Sequence, residues 1–215
     1  MKKNKISKNW LNKQKRDPFV LKSKAQGYRS RSAFKLIEMN KKFKFLKKKT
    51  NILDLGASPG GWSQVVAKSI LSGKILAVDI TPMEKIKSVD FIRGDFLKEE
   101  VYQKIKNYFD NKVDVVLSDM AVNTTGNKNL DSYNTGELCL KAMDLAQKVL
   151  HKDGVFLFKL FMGSVYAEIN EKANKCFDKV VKYKPSSSRK ESKEIYIYCC
   201  GISKYLNFSK VWYIE

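Results

Sequence analysis

The stretch Gly154-Val-Phe-Leu-Phe-Lys-Leu-Phe-Met162 is apolar on both sides of a single charge, Lys159. It reads as a buried strand, in which an ammonium is costly unless paired or used. Burial lowers a lysine's pKa, which fits Lys159 to accept a proton near neutral pH. Three other strand-like segments run into carboxylates at their carboxyl ends: Asp79, Asp95 and Asp119. In an open α/β sheet those ends share one rim, where ligands bind. Four ionisable groups converging there predict a site.

The first strand of the pattern runs into Asp54-Leu-Gly-Ala-Ser-Pro-Gly-Gly-Trp62. Gly56, Gly60 and Gly61 let the backbone approach a ligand closely, and Ser58, Pro59 and Trp62 complete the expected cradle. The spacing is not Gly-x-Gly-x-x-Gly, and Pro59 removes an N–H where a dinucleotide loop offers one. Asp79 suits a ribose, whose hydroxyls donate to a carboxylate, and Asp95 suits an exocyclic adenine amine. Ile80 and Phe96, beside them, belong to the same expected cofactor site. An adenosine site without a pyrophosphate clamp predicts S-adenosylmethionine over NAD. The chain has one histidine, and its four cysteines, Cys139, Cys176, Cys199 and Cys200, form no Cys-x-x-Cys pair. Zinc and Ser-His-Asp chemistry are therefore not expected, no metal is predicted, and the cysteines read as reduced core residues. His151 is expected in the last turn of a helix, where the dipole favours it.

Strand patterns at 51–57, 74–80, 90–96, 113–119, around Lys159, at 180–183 and at 195–199 must position these groups. Helices are predicted at 60–71, 97–109, 132–150 and 165–177, with a polar loop over 121–131. Continuous apolar strands separated by helices predict an α/β, Rossmann-like fold: a mostly parallel seven-stranded sheet with helices on both faces. The last two strands have no helix between them, so one strand should be antiparallel. A helix is expected over about 30–42, with Phe34, Ile37 and the Lys35 stem along one side.

The 215 residues carry a formal net charge of +20. Residues 1–49 hold 18 Lys/Arg against two acids, and residues 172–193 hold eight against two. Two basic blocks around a near-neutral core predict a polyanionic partner, nucleic acid. No apolar stretch is long enough to span a bilayer and no secretory signal is read, so no membrane partner and an intracellular location are expected. The chain divides into a basic, helical, RNA-binding extension at 1–49, a catalytic domain at 50–203 and a tail at 204–215.

Arg31-Ser-Ala-Phe-Lys-Leu36, Asp54 through Gln64, Ser118-Asp-Met-Ala121, Phe158-Lys159 and Ser188-Arg-Lys-Glu-Ser-Lys-Glu-Ile-Tyr196 resemble, in order, the FtsJ/RrmJ family of RNA 2′-O-ribose methyltransferases. The resemblance runs from about Trp10 to Gly201. It implies a class I S-adenosylmethionine-dependent methyltransferase with a Lys-Asp-Lys-Glu tetrad, here Lys35, Asp119, Lys159 and Glu194. Lys159 would accept the 2′-hydroxyl proton, Asp119 would orient it and touch the methyl donor, and Glu194 would position Lys35 or the ribose. Arg29, Arg31, Lys35 and Arg189 are the expected RNA contacts nearest the rim. Tyr28 and Phe34 could stack bases, although core packing also suits Phe34.

Within the family, the compact length and Arg189-Lys-Glu-Ser192 resemble the bacterial and mitochondrial branch acting on large-subunit ribosomal RNA. That implies a monomer acting on ribosomal RNA, free or in a ribosomal particle, in cytoplasm or mitochondrion. Residues 27–34 also resemble the transfer-RNA anticodon-loop branch, which is the second reading; cap methylation is a third. Val122 stands where the family usually has proline, Thr124-Thr-Gly126 follows it, and the tail has no counterpart. A non-catalytic RNA-binding ribosome-assembly factor and a small-molecule methyltransferase are the competing classes. The complete tetrad argues against the first, and the absence of length for a lid argues against the second.

Overall fold

The computed structural model describes residues 15–110, 113–122 and 128–203; the tail at 204–215 and the start of the basic extension lie outside them. Asp17 and Pro18 open helix α1, Pro18–Ala25. The Asp17 carboxylate accepts the Phe19 and Val20 N–H groups, and proline occupies the first turn. Helix α2, Ala33–Phe43, follows and ends where Lys44 adopts a left-handed conformation. From there strands and helices alternate: β1 Ile52–Leu55, α3 Gly61–Ser69, β2 Ile75–Asp79, β3 Asp90–Arg93, α4 Glu99–Phe109 and β4 Val113–Ser118. Then come α5 Lys128–Val149, β5 Leu150–Phe161, α6 Tyr166–Cys176, β6 Phe177–Tyr183 and β7 Glu194–Ile202.

The seven strands form one sheet in the order β3-β2-β1-β4-β5-β7-β6. Strands β1 to β5 run parallel to one another, and β7 runs antiparallel to both β5 and β6. The strand order reverses at β1, with β2 on one side and β4 on the other. The carboxyl ends of these strands therefore open the crevice in which doubly wound sheets bind ligands.

Successive residues alternate between two apolar cores. Leu53, Leu55, Val116, Phe156 and Phe158 pack with α4, α5 and α6 on one face. Ile52, Val115, Leu117, Val155, Leu157, Tyr196 and Tyr198 pack with α2 and α3 on the other. Of α2, Ala33, Leu36 and Met39 are fully buried, whereas Ile37 is exposed. The buried stripe thus differs from the expected one through Phe34 and Ile37.

Two further expectations are corrected. Strand β3 stops at Arg93 instead of reaching residue 96, because Asp95 turns the chain by accepting the Leu97 N–H on its side chain and the Lys98 N–H on its carbonyl. Helix α5 ends at Val149, so His151 is not in its last turn but in the start of β5. There Leu150 pairs with Val113, and His151 Nε2 donates to Asp114 Oδ1 at 2.9 Å. Cys139, Cys176 and Cys199 are buried, Cys200 is half-buried, and all four are free thiols. Among the described residues, no helix is long and apolar enough to cross a membrane.

Candidate active site

The period-two pleat selects the site's face. Asp54, Asp119, Lys159, Glu194 and Tyr196 all fall in the same strand register as the residues beneath α2 and α3. Lys159 lies directly opposite Tyr196 across the β5–β7 pairing, and Glu194 lies two residues back along β7, opposite Phe161. Asp119 is the first residue beyond β4. Helix α2 crosses this face and brings Lys35 down onto it.

The five groups interlock. Lys159 Nζ donates to the Asp119 carbonyl at 2.5 Å and lies 3.0 Å from Asp119 Oδ1. The Tyr196 hydroxyl donates to the same Oδ1 at 2.9 Å. Lys35 Nζ pairs with Glu194 Oε1 at 2.6 Å and sits 5.6 Å above the Tyr196 ring. The side chains of Lys35 and Glu194 are each only 11% exposed. Burial alone would raise the Asp119 pKa, but Lys159, Lys35 and the hydrogen bonds from Lys159 and Tyr196 outweigh it and hold the carboxyl below its ordinary value. Burial drives the Tyr196 hydroxyl far up, so it stays a donor. Two lysines, two carboxylates and a phenol thus meet at one point, all four charges paired.

The glycine loop adjoins this cluster. Gly56, Ala57, Ser58, Pro59 and Gly61 line a cleft together with Asp54, Trp62 and Asp119. Ser30 and Ser32, from the turn before α2 and packed against Gly61, complete the lining. The Ser58 N–H donates to Asp79 Oδ2 at 2.8 Å, and the Thr81 N–H donates to Asp79 Oδ1 at 2.7 Å, so Asp79 is fixed in orientation at the end of β2. Ile80, 67% exposed, follows it, and Asp95 and the half-buried Phe96 lie past the end of neighbouring β3. The four extend the rim beyond the cleft. Asp54 is buried, pushed up to about 7 by that burial and by the charges of Asp119 and Asp79, against a 2.6 Å hydrogen bond from Ser63.

A model of the FtsJ-like methyltransferases matches residues 28–202. The chain belongs to that family. It is 52% identical over 199 residues to the ribosomal RNA large subunit methyltransferase E of Pelagibacter ubique, covering 93% of this chain and 98% of the relative. The enzyme of that name from Acinetobacter baylyi is 42% identical over 204 residues, 94% of each chain. Among solved structures, a Plasmodium falciparum chain, 34% identical, superposes with a TM-score of 0.72 over 81% of this chain and 98% of its own.

In this FtsJ-like methyltransferase the four tetrad positions read from the resemblance are brought together as two bonded pairs. The arginines expected to meet RNA are engaged inside the chain. Arg31 pairs with Asp17 and donates to the Ser187 carbonyl at 2.5 Å, and Arg189 Nε lies 3.1 Å from the same Asp17 carboxylate. Arg29 donates to carbonyls of Pro59, Glu84 and Lys85. Phe34 is buried against Phe19 and Tyr28, and Tyr28 packs edge-on to it, with Lys68 over its ring. Four residues escaped the sequence reading: Tyr196, Asp54, Ser30 and Ser32. The alternation in Glu194-Ile-Tyr196 was a signal for the first, since it puts the tyrosine on the glutamate's face.

Proposed function

We propose that this methyltransferase uses S-adenosylmethionine to methylate a ribose 2′-hydroxyl of large-subunit ribosomal RNA, with Lys35, Asp119, Lys159 and Glu194 as its catalytic residues. The observation that carries the reading is the interlocked cluster of two lysines, two carboxylates and Tyr196 beside a glycine-walled cleft. The cradle fits the cofactor: the Asp79 carboxylate is oriented by two backbone N–H groups, and the exposed Ile80 beside it offers an apolar surface to a purine. Gly56, Ser58, Pro59, Gly60, Gly61, Trp62, Asp79, Ile80, Asp95, Phe96 and Asp119 would hold it. The cofactor supplies a methyl group activated by sulfonium charge.

The protein's own task is alignment and removal of one proton. Lys159 is held through the Asp119 carbonyl and carboxylate, which use two of the positions around its nitrogen. As the neutral amine, Lys159 keeps two N–H groups on Asp119 and turns its lone pair to the acceptor hydroxyl, whose proton it takes to become the ammonium. Asp119 orients that amine while Tyr196 fixes Asp119. Lys35, neutralised by Glu194, sits over the Tyr196 ring, and the pair holds the ribose in line. Arg31 and Arg189 lie in the basic segments that give RNA binding its electrostatic part. The 1–49 segment serves as the RNA-binding extension, the enzyme works as an intracellular monomer, and the substrate is ribosomal RNA alone or in a ribosomal particle.

Two experiments test this. Ribose methylation mapped across total RNA with the gene depleted should lose a mark in large-subunit ribosomal RNA; loss only in transfer RNA would overturn the substrate. Lys159→Ala should keep the fold and cofactor binding and lose methyl transfer, and retained turnover would sink the assignment of the base.

A further inference from the structure

Arg29 lies in a basic stretch, two residues before Arg31, and its type and position suit a phosphate contact. Its hydrogen bonds say otherwise. One terminal nitrogen, Nη1, donates to the Pro59 carbonyl at 3.1 Å and to the Glu84 carbonyl at 2.8 Å. The other, Nη2, donates to the Lys85 carbonyl at 3.0 Å. Pro59 belongs to the glycine loop that walls the cleft, and residues 84 and 85 belong to the loop that follows Asp79 and Ile80. One planar fork therefore ties the glycine loop to the loop that follows Asp79 and Ile80, both of which carry residues of the expected cofactor site.

The residue is fixed at its backbone as well. The Arg29 N–H donates to Gln64 Oε1 at 2.8 Å, and Gln64 Nε2 donates back to the Gly27 carbonyl at 3.0 Å. Gln64 is on α3, the helix that starts at the glycine loop. The back of that loop is filled: a Cβ at Gly60, whose φ is +107°, would stand 2.7 Å from Ile86 Cδ1 and 3.0 Å from both Arg29 Nη1 and Met83 Sδ. The loop thus rests on Arg29 and on Met83 and Ile86, which flank the Glu84–Lys85 pair that Arg29 binds.

We propose that Arg29 is a positioning residue for the cofactor, acting through the Pro59 and Glu84–Lys85 carbonyls, and not a contact to RNA phosphate. The inference rests on the S-adenosylmethionine reading above. An arginine can serve three carbonyls because its donors diverge from a rigid plane; a lysine carries the same charge on a single nitrogen. The two roles therefore separate by substitution. A phosphate contact tolerates lysine and adds about one to the slope of RNA affinity against salt. A strut does neither.

The experiment measures S-adenosylhomocysteine binding by calorimetry and the salt dependence of RNA binding for wild type, Arg29→Ala and Arg29→Lys, with KM for each substrate and kcat. Both variants should weaken S-adenosylhomocysteine binding about tenfold and raise KM for the methyl donor, with kcat at saturation and the RNA salt slope retained. An unchanged cofactor affinity in both variants overturns the inference. So does a loss of RNA affinity and slope in Arg29→Ala that Arg29→Lys restores. If the alanine variant melts below assay temperature, the lysine variant decides alone. Failure of the wild type to bind S-adenosylhomocysteine would sink the cofactor reading itself, which is a different result from wild-type binding with unaffected variants.

Discussion

Replacing Asp54 by asparagine should stabilise the protein relative to wild type more at pH 8 than at pH 5. The side chain is buried under α3, accepts from the Ser63 hydroxyl and backbone N–H, and has Asp119 and Asp79 as like-charged neighbours. Its carboxyl stands at about 7, against 3.8 for an unperturbed aspartate. A raised acid pKa means the folded state holds a proton that the unfolded state releases. Its stability contribution is therefore full below about pH 4 and is lost as pH rises to about 7. At about 1.4 kcal/mol per pH unit the whole loss has a ceiling of about 4 kcal/mol, of which roughly 2–3 kcal/mol falls between pH 5 and pH 8. Asparagine keeps the shape and carries no charge at either pH. Urea melts of both proteins at the two pH values give the difference directly, and titrations elsewhere in the chain cancel in it. A variant whose stability relative to wild type is the same at pH 5 and pH 8 would refute the reasoning, because Asp54 would then titrate alike folded and unfolded.

Three further outcomes follow from the same geometry. Tyr196→Phe removes the 2.9 Å hydrogen bond to Asp119 and should lower the single-turnover rate about tenfold while S-adenosylhomocysteine binding holds; an unchanged rate would remove Tyr196 from the site. Lys35→Met and Glu194→Gln, each alone, should cost about 3–5 kcal/mol of stability by leaving a buried charge unpaired, and the double variant should recover part of that; strictly additive losses in a denaturation cycle would contradict the pair. Glu38 accepts from Tyr183, Ser186 and Ser187, and although burial opposes them these bonds hold its carboxyl below its ordinary value of 4.5. Its contribution is therefore present above that value and fades as pH falls below it. Glu38→Gln should loosen the Ser186 and Ser187 amides in hydrogen exchange at pH 7, with the gap from wild type closing in acid; equal protection at pH 7 would count against the clamp.

The fold was readable because β1, β2, β4 and the second half of β5 are largely apolar and buried, and a parallel sheet covered on both faces accommodates such strands. The antiparallel β7 followed from the missing helix between the last two strands. Strand and helix ends were less readable, since local side-chain bonds decide them. The Asp95 turn cut β3 short, and pairing of Leu150 with Val113 pulled His151 out of α5. At the site, Lys159 was conspicuous as a charge in an apolar run, whereas Lys35 and Glu194 looked like ordinary surface residues. They become a pair only because α2 crosses the pleated face that Glu194 and Tyr196 share, a juxtaposition over more than 150 positions of sequence that no local pattern encodes. Arg29, Arg31 and Arg189 were legible as charge but not as partners, because the carbonyls and the Asp17 carboxylate that hold them come from distant segments.

The charges around the cleft also bear on how the cofactor is taken up. Burial first, and then the charges of Asp119 and Asp79, raise Asp54, and the two lysines of the cluster are already occupied, by Glu194 and by Asp119. The cleft that Asp54 lines therefore has an excess of carboxylate, and one carboxyl is half-protonated near pH 7. S-adenosylmethionine brings a sulfonium and an ammonium, and a nearby cation lowers an acid's pKa. Binding at pH 7 should then expel up to about half a proton from Asp54, since half is what a group at about 7 holds there. Calorimetric titrations in buffers of different ionisation enthalpy read that number as a slope. The slope should be smaller for S-adenosylhomocysteine, which lacks the sulfonium charge, and should vanish in Asp54→Asn. Proton uptake on binding, or the same release in Asp54→Asn, would show that the carboxylates of this rim do not answer to the charge of the methyl donor.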